Sequence, residues 1–349
     1  MKKLRLGVVI GGKSSEHEIS LLSGYGVLSN LDPAKYIVHV IIISESGDWF
    51  LYYGDLENIK DGRWREDSEN LKNVAMTSLG KLLLIEEKHE FIELDVVFSV
   101  LHGSNGEDGR MQGFFETAGI PFVGSRTASS AVCMDKDFTN SILAQNGIDI
   151  AEWITLKKRE KKTFGEMKEK IEKQLKYPVF VKPANSGSSV GISKVKGAEV
   201  LEAAIDLAFR EDGKILVQRA IEGQEIECAV LGNDEPIASF PGEIEPCNEF
   251  YDYEAKYFEP SVLHIPARIG EEAAETIKSI SKKAYSILGC CGMARVDYIL
   301  DQNGNAWLIE INTIPGFTEI SMYPKMLEKM GIGYSELLDT LINLALEKR

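Results

Sequence analysis

Two acidic side chains near the end of the chain have a spacing that suits a divalent cation. Residues 294–312 read ARVDYILDQNGNAWLIEIN, and Asn303-Gly304 predicts the turn of a β-hairpin. With a four-residue loop over 302–305, side-chain alternation places four polar residues on one face, with Asp297 opposite Glu310: Arg295, Asp297, Glu310 and Asn312. The other face is predicted to be apolar: Val296, Tyr298, Ile309 and Ile311.

The opposed carboxylates of this hairpin indicate a candidate cation site. Directly opposed like charges cost up to about 1 kcal/mol in a solvated sheet. A cation between Asp297 and Glu310 would remove that cost. Together with the amide oxygen of Asn312, they form a set of hard ligands suited to Mg²⁺ that carries nucleotide phosphates. A solvent-facing strand with routine charges explains the same pattern equally well, so the hairpin alone leaves both interpretations open.

A phosphate-binding pattern occurs near the N-terminus, where GVVIGGKS, Gly7 to Ser14, matches the P-loop consensus G-x-x-x-x-G-K-[ST]. In a P-loop, the residues between the two glycines form a loop whose backbone amides surround the phosphates. Here the run LRLGVVI predicts a buried strand that contains Gly7, so only Gly11 and Gly12 remain to turn the chain. We therefore expect that this segment is not a P-loop and that Lys13 contacts no phosphate.

A segment in the middle of the chain is a better candidate for phosphate binding. In FVKPANSGSSVGIS, Lys182 ends a predicted strand, and the glycine and serine residues that follow offer amides and hydroxyls to phosphate oxygens. A further strand comes next, so we predict a flexible flap over 186–190, although a hairpin tip without a ligand would have the same composition. Lys136 and Lys256 are further cationic candidates, and each alone is more typical of a surface lysine.

Two more candidates follow predicted strands in the first third of the chain. Glu16, in SSEHEIS, could complement the dipole of a helix or extend its carboxylate into a cleft at the carboxyl end of the first strand. Ser15 and Glu18 have the spacing of a capping box, which predicts a structural role for Glu18. His102, in LHGSNGEDG, ends another strand at the same edge, although a lone histidine is more often structural.

The elements that must position these residues form three predicted units. In the first, the apolar runs LRLGVVI, IVHVIII and LDVVFSV alternate with helical signals, which is typical of a parallel sheet covered on both faces. The second begins with a helix over TASSAVCMDKDFTNSILAQNG and continues through a helix from Thr163 to Lys176 to the strands around Lys182. The third contains GQEIECAVLG as a strand, EEAAETIKSISKKAYSILG as a helix, and the hairpin. We predict three α+β units around one cleft.

Composition excludes some classes of function. The 349-residue chain has a net charge of −15, which argues against a nucleic-acid partner because phosphates require a basic surface. Five cysteines without framework spacing indicate a reducing compartment, and Cys290 and Cys291 are expected to be packing residues. The apolar run at the N-terminus is too short for a signal peptide, and no segment could span a bilayer. We expect a cytoplasmic protein without a membrane partner.

Seven motifs, in order, resemble those of the D-alanine–D-alanine ligases, which are ATP-grasp enzymes: GGKSSEHEIS, LHGSNGEDG, MDKD, FVKPANSGSSVGISKV, FYDYEAKY, RVDYIL and IEINTIPGFTEISMYP. The resemblance extends from Gly11 to about Pro324. It implies a combined α/β and α+β fold with three domains. These are an N-terminal parallel-sheet domain on the substrate side at 1–124, a central ATP-grasp lobe with the flap at 125–219, and a C-terminal lobe with the metal site at 220–349.

The resemblance also implies roles at the nucleotide end of the site. Two Mg²⁺ ions, or Mn²⁺ in their place, would bind to three ligands: Asp297, Glu310 and Asn312. The phosphates of ATP would contact Lys136, Lys182, Lys256 and the flap residue Ser189. Adenine and ribose would contact a further set: Gln218, Arg219, Ala220, Ile221, Glu225 and Phe250. Because relatives often have glutamate at position 218, the amide oxygen of Gln218 would have to accept the adenine amino group.

At the amino-acid end, the resemblance implies that Glu16 holds the ammonium of the first D-alanine, linked through Ser188 and Tyr257 and with His102 nearby. Arg295 and the amide of Gly316 would stabilise the oxyanion, and Ser321 with the amide of Met322 would bind the second carboxylate. The implied reaction transfers the γ-phosphoryl group of ATP to the first D-alanine, and the second D-alanine then attacks the acyl phosphate. The flap and the 250–257 loop would exclude water from that intermediate. The product would be D-alanyl-D-alanine for peptidoglycan synthesis.

Sister ligases that join D-alanine to D-serine or D-lactate are the nearest alternative. Lys256-Tyr257 and Met322 resemble the dipeptide-forming enzymes, whereas D-serine ligases tend to have arginine at position 322 and D-lactate ligases have a different loop at 256–257. A non-catalytic nucleotide-binding module is a second alternative, and it is disfavoured because the acidic residues, the lysines and Glu16 occur together. The resemblance also implies a homodimer whose small-molecule partners are D-alanine and ATP.

Overall fold

The structure is a computed structural model that describes residues 2–85, 90–187, 190–245 and 262–347. Its strands are β1 Leu4–Gly11, β2 Tyr36–Ile43, β3 Trp49–Tyr52, β4 Leu71–Met76, β5 Lys81–Leu84, β6 Phe91–Glu93, β7 Val96–Ser99, β8 Trp153–Lys157, β9 Val179–Pro183, β10 Ser193–Val195, β11 Lys214–Arg219, β12 Gly223–Gly232, β13 Ile237–Ala238, β14 Gly242–Glu245, β15 Val262–His264, β16 Gly292–Asp301 and β17 Ala306–Asn312. Its α-helices are α1 His17–Asn30, α2 Leu56–Lys60, α3 Arg110–Ala118, α4 Thr127–Met134, α5 Lys136–Gln145, α6 Phe164–Gln174, α7 Leu201–Glu211, α8 Glu271–Ile287, α9 Met322–Glu328 and α10 Tyr334–Leu346.

The first sheet has seven strands in the order β6-β5-β4-β3-β2-β1-β7. The three apolar runs predicted to be parallel strands do pair in parallel, with β1 between β2 and β7. Beyond β2 the sheet continues through four antiparallel strands, β3 to β6, which the sequence analysis did not identify. The α/β class is therefore confirmed, and the predicted parallel sheet is corrected to a mixed sheet whose three parallel strands, β2, β1 and β7, lie at one end.

The start of this sheet excludes a P-loop, as the sequence analysis expected. Gly7 and the three residues after it lie inside β1 and are buried. The chain turns at Gly11 and Gly12, whose φ angles are 84° and 99°. A Cβ atom at Gly11 would lie 2.3 Å from the carbonyl oxygen of Ile43, so only glycine allows this approach to β2. Lys13 is exposed.

Two helix predictions require correction. The helix expected over 127–147 is divided into α4 and α5, because Asp135 is extended (φ −86°, ψ 99°) and its carboxylate caps α5 by accepting from the amides of Asp137 and Phe138. The capping box proposed for Ser15 and Glu18 is wrong. Residue 16 is the N-cap of α1 and makes no side-chain capping bond, while Glu18 forms an ion pair with Arg65.

The other two sheets are antiparallel. The second has the order β10-β9-β11-β8, and the third has the order β15-β14-β12-β16-β17 with β13 beside β12. The predicted pair of strands around the glycine-rich flap is confirmed as β9 and β10. The chain crosses from the second sheet to the third at residues 220–222, directly between β11 and β12. None of the helices in the described part of the chain is long and apolar enough to cross a membrane.

The hydrophobic cores show how the sheets dock. Val8 and Phe98 of the first sheet share one buried cluster with Phe317, Tyr323 and Leu338, which follow the third sheet. The third sheet also packs against α4, α5 and α8 in a second cluster that includes both Cys133 and Cys290. The second sheet has a separate cluster with α6 and α7. The first and third sheets thus form one packed body, beside which the second sheet carries the flap.

Candidate active site

A cleft of about 380 Å³ is lined by residues from all three parts of the chain. Among the residues predicted from the sequence, those lining it are Glu16, His102, Lys136, Arg295, Glu310, Asn312, Gly316, Ser321 and Met322. Segments more than 300 residues apart in sequence therefore meet at one place. Five predicted site residues lie outside the described part of the chain: Ser188, Ser189, Phe250, Lys256 and Tyr257.

The proposed adenine-binding segment lies at the crossing from β11 to β12, and its residues are not among those lining the cleft. Gln218 is buried, and its Nε2 donates to the carbonyl oxygen of Ala151 at 3.1 Å. Arg219 stacks over the ring of Trp307 at 5.1 Å. The other described members of the predicted set, Ala220, Ile221 and Glu225, are partly exposed here.

The hairpin presents its polar face to the cleft, but the register of its two strands differs from the prediction near the turn. Asp297 pairs with Glu310 and Arg295 with Asn312, as expected. Between the turn and Tyr298, the pairing of the two strands is shifted by one residue from the predicted register. Ile309 is a β-bulge without a partner on β16, and beyond it the pairing is as predicted. The placement of Ile309 on the buried face is therefore wrong. That face is formed by Val296, Tyr298, Leu308 and Ile311.

Three carboxylates lie side by side across β12, β16 and β17, because Glu227 pairs with Asp297, which pairs with Glu310. The guanidinium of Arg295 lies among them: it donates to the two oxygens of Asp297 at 2.8 and 2.7 Å, and its Nε is 3.1 Å from Glu227. Burial alone would lower the pKa of Arg295, but the charges of Asp297 and Glu227 raise it well above its ordinary value. Asn312 donates to Asp297 at 3.1 Å.

Two lysines approach this row of carboxylates from the second unit. Lys136 begins α5, and its Nζ donates to the carbonyl oxygen of Ser186 at 2.9 Å and lies 3.6 Å from Glu310. Lys182, on β9, is only 6% exposed. Burial and the charge of Lys136 lower the pKa of Lys182 to about 8, although Glu310 opposes this shift. Lys136 is 7% exposed, so the alternative of a surface lysine is wrong for this residue.

Glu16, contributed by the first unit, also lines the cleft and is 6% exposed. A Cβ atom at Gly103 would lie 2.3 Å from its Oε2, and one at Gly187 would lie 2.8 Å from the same oxygen. The backbones of the 103–107 loop and of the flap therefore approach this carboxylate closely. The loop before Glu16 is held by Ser14, whose hydroxyl donates to the carbonyl oxygen of His102 at 2.8 Å.

Two acidic residues of the site were missed by the sequence analysis. Glu107 lines the cleft, and its carboxylate accepts from the amide of Gly103 at 2.7 Å. Burial, together with the charge of Glu16, raises the pKa of Glu107 to about 8. Its position in LHGSNGEDG, five residues after His102, was the available signal. For Glu227, the signal was the alternation of acidic and buried residues in EIECAV.

His102 holds the loop that follows the hairpin. Its Nε2 is 3.0 Å from the hydroxyl oxygen of Ser23, and its ring is hydrogen-bonded to the backbone of Ile314. Burial lowers the pKa of His102 to about 4, so the ring is neutral at pH 7. Ser23 also accepts from the amide of Phe317 at 3.3 Å. Both residues thus fix the backbone around Gly316. Ser23 was missed because a buried serine in a helix gives no distinctive sequence signal.

The far end of the cleft is formed around Ser321. Its hydroxyl oxygen accepts from the amide of Thr318 at 3.0 Å, and a Cβ atom at Gly316 would lie 2.7 Å from it. Met322 begins α9, lines the cleft and packs against Gly242, where a Cβ atom would lie 2.2 Å from the methionine methyl group. The hydroxyl of Ser321 and the apolar side chain of Met322 therefore adjoin the same pocket.

Comparison with known proteins gives the same family over both halves of the chain. Residues 5–125 match the family described as "D-ala D-ala ligase N-terminus", and residues 142–343 match "D-ala D-ala ligase C-terminus". The D-alanine–D-alanine ligase of Caldicellulosiruptor bescii is 49% identical over 354 residues, covering 100% of this chain and 96% of its own. That of Thermoanaerobacter sp. (strain X514) is 47% identical over 351 residues, covering 99% and 98%.

Solved structures show a similar relationship. The VanG D-Ala:D-Ser ligase from Enterococcus faecalis has a TM-score of 0.91 and 42% identity, covering 99% of this chain and 100% of its own. The D-alanine-D-alanine ligase from Coxiella burnetii has a TM-score of 0.87 and 36% identity, covering 99% and 94%. Chains of both specificities therefore share this fold.

Proposed function

The chain belongs to the D-alanine–D-alanine ligase family, an ATP-dependent ligase family, and on that premise we propose that it joins two D-alanine molecules. The observation that carries the proposal is the meeting, in one cleft, of two chemically different ends. One end has Lys136 beside the carboxylate row, and the other has the buried carboxylate of Glu16 close to the flap. A phosphate donor suits the first end, and an ammonium group suits the second.

We assign the polar face of the hairpin to the metal ions. Asp297 and Glu310 supply carboxylate oxygens and Asn312 an amide oxygen, which fits Mg²⁺, and two ions are proposed. When bound, Mg²⁺ would supply positive charge to the phosphates of ATP. The direct pairing of Glu227 with Asp297 and of Asp297 with Glu310 supports this assignment, because adjacent carboxylates repel one another and a bound cation would remove that repulsion.

In the proposed first step, a carboxylate oxygen of the first D-alanine attacks the γ-phosphorus of ATP. The bond to the bridging oxygen breaks, and ADP leaves with the electron pair. Glu16 would hold the ammonium of this D-alanine, while Lys136 and Lys182 spread the charge of the transferred group. For adenine, Nε2 of Gln218 already donates to Ala151, so its Oε1 is the proposed acceptor of the adenine amino group.

In the proposed second step, the unprotonated amine of the second D-alanine attacks the acyl carbon. The C–N bond forms, the carbon–oxygen bond to phosphate breaks, and phosphate leaves with the proton that the amine loses. The contacts of Arg295 with Asp297 and Glu227 use Nε and Nη2, so its Nη1 and the amide of Gly316 are the proposed donors to the oxyanion. The hydroxyl of Ser321 and the amide of Met322 would bind the second carboxylate.

The experiment that tests this function supplies D-alanine, D-serine and D-lactate together with ATP and Mg²⁺, and identifies the products by chromatography. We expect D-alanyl-D-alanine as the main product and ADP release that depends on added D-alanine. ADP release without D-alanine, or none at all, would favour the nucleotide-binding module instead.

Synthesis of D-Ala–D-Ser is the second candidate, and the similarity to the VanG ligase favours it. Met322 argues for D-alanine, because its apolar side chain offers no partner to the hydroxyl of D-serine. A predominance of D-Ala–D-Ser in the same assay would establish this alternative.

The homodimer and the cytoplasmic location expected from the sequence stay predictions. Sedimentation of the full chain measures the first, and fractionation of the host cell measures the second.

A further inference from the structure

We propose that His17, Glu18 and Glu45 bind a transition-metal ion at the amino end of α1, outside the cleft described above. One ring nitrogen of His17 and one carboxylate oxygen of each glutamate lie within 4.8 Å of one another. His17 is 3% exposed, whereas both glutamates are exposed. The cluster thus has one rigid, buried ligand and two side chains that can rotate to adjust the distances.

The hydrogen bonding of His17 leaves one nitrogen available for a metal ion. Its Nδ1 is 2.8 Å from the carbonyl oxygen of Gly12, which can only accept, so Nδ1 carries the hydrogen atom. Nε2 then has a lone pair, is buried, and has no hydrogen-bond partner in the described part of the chain. Metal-binding histidines typically donate their other ring N–H to a carbonyl or carboxylate group, as His17 does to Gly12.

The backbone brings the two acidic ligands to the imidazole ring of His17. Glu18 follows His17 in the first turn of α1, where Arg65 contacts its Oε1. Glu45 lies in the turn after β2, closed by the bond from the amide of Ser44 to the carbonyl oxygen of Asp48. That turn is beside Gly12, whose amide donates to the carbonyl oxygen of Ile43 at 2.7 Å. The ligands are therefore attached to two segments that are hydrogen-bonded together.

The surrounding charges permit a cation. The amino end of α1 has a partial positive charge, and Arg65 adds another, and both oppose metal binding. The two carboxylates outweigh this effect, since Glu18 and Glu45 bring two full negative charges to the site.

The ligand types select the metal. One imidazole nitrogen with two carboxylate oxygens suits Zn²⁺ or Co²⁺, whereas Mg²⁺ prefers oxygen ligands alone. Zinc bonds of about 2.0–2.2 Å require the exposed carboxylates to move towards Nε2, and water would complete the coordination. Because His17 directly follows Glu16, a bound ion would fix the segment next to the cleft.

The test uses the chelator-treated full-length protein and Co²⁺ as the probe, followed by visible absorption. Excess Mg²⁺ and a non-hydrolysable ATP analogue occupy the cleft. We expect one equivalent of Co²⁺ with a low-coordinate spectrum and no thiolate charge-transfer band, which excludes the cysteines as ligands. Glu45→Gln should weaken this binding at least tenfold. Glu66→Gln, an equal charge change at a nearby exposed residue outside the cluster, should leave it unchanged.

Glu18→Gln provides a second variant, because replacement of the buried His17 could impair folding. It should also weaken the binding of Co²⁺. The proposal is overturned if no equivalent of Co²⁺ binds outside the cleft, or if both glutamine variants bind Co²⁺ as the wild type does. A thiolate spectrum would also overturn it.

Discussion

At the scale of single residues, the row formed by Glu227, Asp297 and Glu310 is the feature most dependent on bound cations. In Glu310→Gln the side chain keeps its shape but loses the charge that faces Lys136 at 3.6 Å. If Glu310 is a metal ligand, turnover should fall by about 100-fold or more, because metal-ion catalysis supplies several kcal/mol. The midpoint of thermal unfolding should change little, since Glu310→Gln removes one of three carboxylates that repel one another.

The control for that variant is Glu328→Gln, at an exposed position of α9. The two variants are compared by ADP release at saturating Mg²⁺. A folded Glu310→Gln enzyme with near-normal turnover would contradict the metal assignment, whereas Glu328→Gln should resemble the wild type.

The buried Lys182 predicts a pH dependence of ATP binding. Because burial lowers its pKa to about 8, the ammonium is charged below pH 8 and is lost as the pH rises through that value. The affinity for a non-hydrolysable ATP analogue, measured by calorimetry without D-alanine, should therefore decrease between pH 7 and pH 9. Lys182→Arg keeps its charge throughout this range and should show no such decrease. An unchanged profile in the wild type would contradict a phosphate contact.

Met322 is the residue at which D-alanine and D-serine should be distinguished. Its apolar side chain adjoins Ser321, so the hydroxyl of D-serine would be buried without a partner. Because such pockets reject an added hydroxyl only modestly, we expect a preference for D-alanine of about ten- to two-hundred-fold. Met322→Arg should shift the product ratio towards D-Ala–D-Ser in a competition assay. Met330→Arg, on the exposed surface, is the matched control.

At the scale of elements, the hairpin shows what sequence periodicity can and cannot determine. Alternation and the Asn303-Gly304 turn predicted that Asp297 faces Glu310, and this pairing is confirmed. The shifted register near the turn and the bulge at Ile309 were not predictable, because packing of Leu308 into the core decides them. Strands β3 to β6 were missed because they are only three to six residues long, which is too short for an alternating pattern to be recognised.

The break between α4 and α5 carries the next prediction. Asp135 caps α5 through the amides of Asp137 and Phe138, and it forms an ion pair with Lys214. Asp135→Ala removes both interactions and should lower the free energy of unfolding by about 1–3 kcal/mol. Since Lys136 is the next residue, the affinity for ATP should fall as well. Urea denaturation and calorimetry measure these effects. Asp206→Ala, at an exposed position of α7, should change neither quantity.

At the scale of the whole molecule, the sequence predicted the three units more accurately than the contacts between them. Each unit is recognisable from local periodicity and turn residues, as with β1 and the hairpin. The docking depends on side chains far apart in sequence, such as Phe98 with Phe317 and Ser23 with His102. A single sequence contains no signal for such pairs. Ser23 was missed for this reason, although motif order identified Glu16 and Lys136.

The core shared by the first and third sheets predicts that they unfold together. Phe317 is fully buried and packs edge-to-face on Phe98, with ring centres 5.8 Å apart. Phe317→Ala should therefore cost about 3–5 kcal/mol through loss of burial and creation of a cavity. In variants that retain only Trp64, near the first sheet, or only Trp307, in the hairpin, both fluorescence transitions should move to lower urea by the same amount.

The control for Phe317→Ala is Ile205→Ala, in the separate core of the second sheet. It should destabilise that sheet, while the Trp64 transition moves little because no residue in the core of the second sheet belongs to the core that the first and third sheets share. If Phe317→Ala shifts the Trp307 transition and leaves that of Trp64 in place, the two sheets unfold independently. If the Trp64 and Trp307 transitions instead shift together, one core fixes the position of Glu16 relative to the carboxylate row. Movement within the cleft would then be confined to the second sheet and its flap.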